Sequence, residues 1–248
     1  MPFPTTPQAQ HAVHELSPGL FIRGIAAQMK LADFKLIAFD MDSTLIDIEC
    51  IDEIADIVGK GPQVQAITEA AMRGEITDFE DSLRRRLAIL AGTPESVLQR
   101  VYEHRLRLNP GALQLLAYAR WDGLKILLIS GGFTYFTDRL KPRLGIDFAR
   151  SNELEIVNRE LTGRVVGDVV DQHVKRDTVA QVCRTIGCTH EQVIVVGDGA
   201  NDLEMMALAG LSVAYRAKPM VRAQANISID IGGLDRLLTV TEPSSAYR

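Results

Sequence analysis

Two aspartates, Asp40 and Asp42, come directly after an uninterrupted apolar run from Leu36 to Phe39. Such a run is typical of a strand that is covered on both faces of a parallel sheet. Two carboxylates at the end of a buried strand cost desolvation energy and repel one another. Because a bound cation would offset that cost, the pair predicts a cation site at this point of the chain.

Polar residues and glycines follow two further apolar runs in the same way. One set is Ser130-Gly131-Gly132, and the other is Gly197-Asp198-Gly199-Ala200-Asn201-Asp202. Each set alone is a common turn signal. Ligands of open parallel sheets, however, bind beyond the carboxyl ends of the strands, where all these residues would meet. Carboxylates beside a hydroxyl suit Mg²⁺ and a phosphate. We expect the two glycines after Ser130 to open a helix, so that their N–H groups can face that anion.

A further candidate is Lys175, in the first turn of the predicted helix HVKRDTVAQVCRTIG. The helix dipole disfavours a cation at that position. Two interpretations stay open: a tolerated surface pair with Arg176, or a cation aimed at a phosphate. The residues expected on the inward face of this helix are Val174, Val179, Val182 and Ile186.

The elements that must position these residues alternate between strand and helix. Four apolar runs predict parallel strands at Lys35–Phe39, Lys125–Ser130, Val193–Asp198 and Leu211–Tyr215. The pattern predicts an α/β protein, a Rossmann-like parallel sheet core with helices on both faces. We also expect a hairpin around Asn158-Arg159, an edge strand near Ile227 and a short helix in GLDRLLTV.

The interval from Leu45 to Gly123 is far longer than one crossover helix needs. Its predicted helices are Ile51–Val58, Val64–Arg73, Phe79–Ala91 and Pro94–Arg107. We therefore expect a small helical cap domain at residues 47–109, inserted into an α/β catalytic core of residues 34–46 and 110–248. Residues 1–33 would form an N-terminal extension with one short helix around Leu20–Lys30.

One arginine of this insertion indicates the kind of substrate. Arg86 falls on the apolar stripe of its helix, whereas Arg84 and Arg85 fit a solvated face. An arginine that points inward needs an anionic partner. A substrate carboxylate, bound through both of its oxygens, would serve.

Composition restricts the partners of the chain. Its 248 residues carry a net charge of -5, which gives no nucleic-acid footprint. No apolar run approaches the length of a membrane span, and MPFPTTPQAQHAVHE lacks the pattern of a secretory signal. The three cysteines fit no zinc motif and indicate reduced thiols. We expect a cytoplasmic protein that acts on a small molecule, without a nucleic-acid or membrane partner, and set no expectation for its oligomeric state.

Together, DMDSTLI at Asp40, Ser130-Gly131-Gly132, Lys175 and GDGAND at Gly197 resemble the haloacid-dehalogenase superfamily of aspartate-nucleophile phosphatases. Three stretches of the insertion, ECIDEIA, ITEAAMRG and FEDSLRRRL, look like the helical cap of the phosphoserine phosphatases within that superfamily. The resemblance, which covers the chain from about Lys35 onward, implies a Mg²⁺-dependent phosphatase. It would hydrolyse O-phosphoserine through an aspartyl phosphate, as the last step of serine biosynthesis.

The resemblance also implies roles for the residues at the strand ends. Asp40 would be the nucleophile, and Asp42 the proton donor and acceptor. The metal ligands would be Asp40, the backbone carbonyl of Asp42, and Asp198. Asn201 and Asp202 would orient Lys175 and the groups around the metal. The groups expected to hold the phosphoryl oxygens are Ser130, Gly131, Lys175 and Asn201.

In the cap, the resemblance assigns Glu49 to the substrate ammonium and Arg86 to its carboxylate, with Met72 and Phe79 as pocket walls. One alternative is a phosphatase or phosphotransferase of the same superfamily that acts on another small phosphorylated metabolite. Glu49 and Arg86 argue against it. The other is a receiver-like signalling domain phosphorylated on Asp40, a class that lacks a helical cap.

Overall fold

The computed structural model describes residues 13–25, 29–73 and 75–244. Its strands are β1 (Val13–Ser17), β2 (Leu20–Arg23), β3 (Met29–Lys30), β4 (Leu36–Phe39), β5 (Lys125–Phe133), β6 (Phe148–Val157), β7 (Glu160–Val166), β8 (Val193–Gly197), β9 (Leu211–Tyr215), β10 (Ile227–Ile229) and β11 (Thr241–Glu242). Its helices are α1 (Cys50–Ile57), α2 (Gly61–Met72), α3 (Phe79–Ile89), α4 (Ser96–His104), α5 (Ala112–Trp121), α6 (Thr134–Leu144), α7 (Gln172–Ile186), α8 (Leu203–Leu208) and α9 (Pro219–Arg222).

Nine of these strands form one sheet in the order β1-β2-β10-β9-β8-β4-β5-β6-β7. The six strands from β10 to β6 pair in parallel, and the pairs at both edges of the sheet are antiparallel. The predicted α/β class with a parallel core is confirmed. No helix of the described ranges combines the length and apolar character that crossing a membrane requires.

The central strand β4 shows why the sheet is covered on both faces. All four of its residues are buried, and successive side chains of a strand point to opposite faces. Ile37 and Phe39 pack into the larger apolar cluster, while Leu36 and Ala38 pack into the smaller one on the other face. Two apolar layers therefore fix this strand, whose last residue directly precedes Asp40.

The helix predicted around Leu20–Lys30 is wrong where the structure describes that segment. Residues 20–23 form β2, in which Leu20 and Ile22 are buried and the two alternate residues are half-buried. This two-residue period suits a strand, and β10 supplies an antiparallel partner. Consequently β10, expected at the edge of the sheet, is an interior strand covered by β2.

The four helices predicted between the first two core strands are present as α1 to α4. The chain enters and leaves this insertion through adjacent linkers, because Ile46 and Leu108 form an antiparallel bridge. The side-chain amide of Asn109 donates to the carbonyls of Thr44 and Ile46, both at 2.9 Å. The division at residues 47–109 stays a prediction, which these paired linkers support.

The predicted hairpin is confirmed as β6 and β7, which pair in antiparallel fashion. Asn158 and Arg159 at its turn have positive φ values of 52° and 65°. Positive φ at both central residues is the requirement of a type I′ turn, which matches the twist of the flanking strands. The predicted helix in GLDRLLTV is a short 3₁₀ turn at Leu234–Thr239.

Candidate active site

The register of the sheet brings the predicted strand-end residues to one edge. Phe39 of β4 aligns with Leu128 of β5 and with Val196 of β8. The next residue, Asp40, donates its backbone N–H to the carbonyl of Val196 at 2.9 Å. Asp198 follows β8 at the same edge. Site residues that are far apart in the sequence therefore meet in one cleft at the carboxyl ends of the strands.

Lys175 lies at the bottom of this cleft and is fully buried. Its ammonium donates to Asp40 Oδ1 and to Asp202 Oδ1, each at 2.8 Å. Burial works against the charged form, but the carboxylates of Asp202 and Asp40 outweigh it and raise the pKa of Lys175. Of the two interpretations left open by the sequence, the structure therefore excludes a surface pair. Arg176, in contrast, contacts Glu204 in a half-exposed pair.

The helix that carries Lys175 begins at a defined point. Asp171 caps α7 by accepting the Val174 backbone N–H at 2.8 Å, which satisfies one of the free donors of the first turn. Asp202, one of the two carboxylates that contact Lys175, is itself fixed by hydrogen bonds. Its Oδ2 accepts the backbone N–H groups of Asp198 and Gly199, both at 3.1 Å.

Three carboxylates, from Asp40, Asp198 and Asp202, have oxygen atoms within 4.8 Å of one another. Burial raises the pKa of Asp198 to about 7, although a 3.0 Å hydrogen bond from Thr44 lowers it. Burial also raises the pKa of Asp40, against the charge of Lys175. Because one ammonium faces three carboxyl groups, this oxygen-only set fits a divalent cation such as Mg²⁺.

Asp42 contributes no side chain to that cluster, and it was predicted to bind metal through its carbonyl. After β4 the chain makes a tight turn at Met41–Leu45, where Ser43 has a φ of 56°. The turn brings the Asp42 carboxylate back over Gly132, since a methyl group placed on Gly132 would lie 2.9 Å from Asp42 Oδ2.

The surroundings of the Asp42 side chain suit a proton donor. Burial, followed by the charge of Glu49, raises the pKa of Asp42 to about 8. Its Oδ1 is buried without a hydrogen-bond partner in the described residues. A carboxyl group that holds a proton near neutral pH can act as a general acid.

Gly131 and Gly132 do not open a helix, which corrects the sequence-based expectation. They lie within β5, which continues to Phe133, and α6 begins only at Thr134. Close packing explains the residue type instead. A methyl group on Gly132 would lie 2.7 Å from Met41 Cε, and one on Gly131 would lie 2.8 Å from Phe79 Cζ. The ring of Phe79, from the inserted helices, thus rests on the phosphate-binding segment predicted from the sequence.

Arg86 of α3 is half-buried and lies close enough to Asp52, Glu49 and Asp42 to interact with their charges. Its Nε makes a long 3.4 Å contact to the Ser82 carbonyl, and burial lowers its pKa while Asp52, Glu49 and Asp42 raise it. Within the described ranges Arg86 forms no ion pair. The two preceding arginines lie on the solvated face, as expected, and form the exposed ion pairs Arg84–Glu80 and Arg85–Asp81.

Glu49 lies next to this arginine and accepts a 2.7 Å hydrogen bond from Ser43 Oγ. Desolvation raises the pKa of Glu49, while Ser43, Arg86 and Lys218 lower it. Of the remaining candidates, Asn201 is half-buried beside Gly199. The Met72 side chain lies outside the described residues.

Sequence reasoning missed several residues that shape the site. Thr44 sits inside the recognised motif and could have been found as a donor to Asp198. Lys218 and Asn152 carry no local pattern, because Lys218 reaches the site from the segment after β9 and Asn152 from within β6. The backbone N–H of Lys218 donates to the Asp198 carbonyl at 3.2 Å, and Asn152 donates to the Gly131 carbonyl at 2.7 Å.

Known proteins resemble this chain in sequence and in fold. A phosphoserine phosphatase of Albidiferax ferrireducens is 57% identical over 232 residues, which cover 92% of this chain and 98% of that protein. The solved structure of a probable phosphoserine phosphatase from Vibrio cholerae is 45% identical with a TM-score of 0.77, covering 89% of this chain and 67% of that one. A substrate-bound phosphoserine phosphatase complex is 35% identical with a TM-score of 0.79, covering 84% and 99%.

A family model described as haloacid dehalogenase-like hydrolase matches residues 34–210. That interval contains the strand ends, Lys175 and the inserted helices. The chain therefore belongs to the haloacid dehalogenase-like hydrolase family.

Proposed function

We propose that the protein is a Mg²⁺-dependent phosphatase that hydrolyses O-phosphoserine to serine and phosphate. The observation that carries this proposal is the buried Lys175 ammonium, shared by Asp40 and Asp202 at 2.8 Å each, together with an Arg86 that forms no ion pair among the described residues. A cation of this kind can hold a phosphoryl group against the carboxylate that attacks it. The names of the relatives support phosphoserine as the substrate.

The reaction would proceed in two steps. Asp40 attacks phosphorus, the bond from phosphorus to the serine oxygen breaks, and an aspartyl phosphate forms. Asp42 protonates the departing alkoxide, which is a poor leaving group without a proton. Asp42 then takes a proton from water, which attacks phosphorus and releases phosphate from Asp40.

The residues around Asp40 would hold the phosphoryl oxygens as their charge changes. Lys175 supplies a fixed positive charge, and Ser130, Gly131 and Asn201 supply hydrogen bonds. Asp40, the carbonyl of Asp42 and Asp198 would hold Mg²⁺, with Asp202 beside them. When bound, the ion neutralises part of the phosphate charge that would repel a carboxylate nucleophile.

The groups above the cleft would select the substrate. Arg86 would bind the carboxylate of phosphoserine and Glu49 its ammonium, while Phe79 and Met72 would close the sides. Arg86 supports this assignment: it has no ion pair within the part of the chain that the structure describes, and a half-buried guanidinium in that state is costly to retain unless a ligand satisfies it. A cytoplasmic location and a place in serine biosynthesis stay predictions.

The test is phosphate release from a panel of phosphorylated metabolites, with and without Mg²⁺. We expect phosphoserine to have the highest kcat/KM, with activity lost in chelator and restored by Mg²⁺. Preference for another metabolite, or transfer of the phosphoryl group to an acceptor other than water, would favour the first alternative. Lasting phosphorylation of Asp40 without turnover would favour a signalling domain.

A further inference from the structure

The pairing of β5 with β6 is interrupted at the segment that carries Ser130. The ladder is regular up to Ile129 opposite Arg150 and resumes at Phe133 opposite Asn152. Between these pairs β5 contains the three residues Ser130-Gly131-Gly132, whereas β6 contains only Ser151. The longer segment of β5 therefore bulges out of the ladder. Such a bulge leaves backbone groups that need other hydrogen-bond partners.

The side chain of Asn152 supplies one of these partners. It is buried, with 2% of its surface exposed. Its Nδ2 donates to the Gly131 carbonyl at 2.7 Å, and its Oδ1 accepts the Val170 backbone N–H at 2.8 Å. A carbonyl on one side and an N–H on the other leave only one orientation of the amide that satisfies both.

The peptide held by Asn152 leads directly to Ser130. The Gly131 carbonyl and the Gly132 N–H belong to the same peptide plane, and that N–H donates to Ser130 Oγ at 2.8 Å. Three groups thus form a chain in which each hydrogen bond polarises the next. Because Ser130 Oγ accepts within this chain, its own proton remains available for donation.

We infer that Asn152 is a positioning residue for phosphoryl transfer, which fixes the Gly131–Gly132 peptide so that the Ser130 hydroxyl is aimed at a phosphoryl oxygen. The inference rests on the proposed function, since it takes Ser130 to hold that oxygen. The second hydrogen bond of Asn152 extends the same constraint to Val170, just before the α7 helix that carries Lys175. Asn152 therefore fixes the spacing of two phosphoryl-binding groups without contacting substrate.

The test is a cycle of variants in which Asn152→Ala is made in the parent chain and in Ser130→Ala. In the parent, we expect kcat to fall by about 10- to 100-fold, with a smaller change in KM. In Ser130→Ala, the same change should cost less than about threefold, because the group that Asn152 positions is already absent. An equal loss in both backgrounds would show a merely structural role and overturn the inference.

Asn152→Asp keeps the acceptor for Val170 but removes the donor to Gly131. It should lose at least as much kcat as Asn152→Ala, and the buried carboxylate beside a carbonyl should also lower its stability. Asn152→Ser, which keeps a small polar side chain, decides the cycle if neither of these variants folds. Asn226→Ala is the control, because Asn226 also joins two segments, through Ser212 N and Oγ at 3.0 and 2.9 Å, but near the amino end of β9. It should leave kcat unchanged.

The cycle is run with phosphoserine and with an aryl phosphate, since both present a phosphoryl group to Ser130. If the parent chain hydrolyses the aryl phosphate but not phosphoserine, the proposed function fails while the cycle still decides the role of Asn152. If phosphoserine is hydrolysed and the losses are additive, the proposed function stands and the inference falls.

Discussion

The floor and the roof of the cleft differ in how many direct hydrogen bonds and ion pairs their charged groups make. The floor, formed by Asp40, Lys175, Asp198 and Asp202, is fixed by direct hydrogen bonds, although its three carboxylates outnumber its one ammonium. Lys175 contacts two of these carboxylates, and Asp202 accepts two backbone N–H groups. The roof, formed by Glu49, Asp52, Phe79 and Arg86, leaves charges unmatched. Arg86 makes one long contact, and Asp52 Oδ1 is buried without a partner within the described residues.

This difference indicates which part of the site is prepared in advance. A paired floor holds its reacting groups in place before substrate arrives, which avoids reorganisation during the reaction. A roof with charges that lack close partners would lower the stability of the free protein, and under the proposed function a substrate that carries both charges would supply the missing interactions. Reaction type would thus depend on the floor and substrate choice on the roof, and changes in the two regions should have different kinetic signatures.

The largest expected effect is that of Asp40→Asn in the floor. The amide is a poor nucleophile, so turnover should fall on the order of 10⁴-fold or more, with every phosphate ester tested. Phosphate release by a variant with a native melting curve is the measurement. Asp177→Asn, which removes an exposed carboxylate paired with Arg176, is the matched control. Substantial Mg²⁺-dependent turnover by the Asp40 variant would remove this residue as nucleophile.

Asp42→Asn distinguishes protonation of the leaving group from nucleophilic attack by Asp40. Single-turnover transfer from phosphoserine should fall by about 10²- to 10⁴-fold, because the serine alkoxide then leaves without a proton. An aryl phosphate should lose much less, since its leaving group is stable as an anion. Equal losses in the transfer step for both substrates would contradict the general-acid role.

Lys175→Met tests whether the floor depends on its internal pairing. It leaves Asp40 and Asp202 without their shared cation, which should lower the free energy of unfolding by about 3–5 kcal/mol. Denaturant titration measures this loss. Arg85→Met, which breaks the exposed pair with Asp81, is the control and should be close to the parent. A Lys175 variant as stable as the parent would mean that the pairing is not what holds the floor.

The smallest expected effect is confined to the roof. Arg86→Ala should lower kcat/KM for phosphoserine by about 10- to 200-fold, the equivalent of one hydrogen bond to a charged group. Phosphoethanolamine, which lacks the carboxylate, should be affected little by this change. Arg85→Ala serves as the neighbouring control. If Arg86→Ala harms both substrates equally, Arg86 is structural and the contrast between floor and roof fails.

The local sequence was enough to predict where most residues of the floor lie. The apolar run before Asp40 fixes a buried strand, and parallel strands of similar length align their ends, so Asp198 and Ser130 could be placed together from the sequence. The burial of Lys175 could not be predicted from its helix pattern, which favoured a surface pair with Arg176, although the family resemblance assigned Lys175 to the phosphate. Only the paired carboxylates of Asp40 and Asp202 resolve that choice.

Interactions between distant segments account for what the sequence did not predict. Leu20 and Ile22 were assigned to a helix because nothing nearby shows that β10 offers them an open edge. The glycines at 131 and 132 were expected to open a helix, whereas close contacts with Phe79 and Met41 explain them. Asn152 has a role only through the interrupted ladder beside it. In each case the deciding neighbour is remote in sequence.

The pairing of β2 with β10 has a consequence for synthesis on the ribosome. Leu20–Arg23 emerges early, but Ile227–Ile229 follows after roughly two hundred residues, or about 10–40 s of translation. The elements that position the floor, namely β4, α7 and β8, are all complete before then. We expect the nascent chain to assemble its catalytic centre while one edge of the sheet is still open, and an open edge is the part of a folding intermediate most prone to pair with another chain.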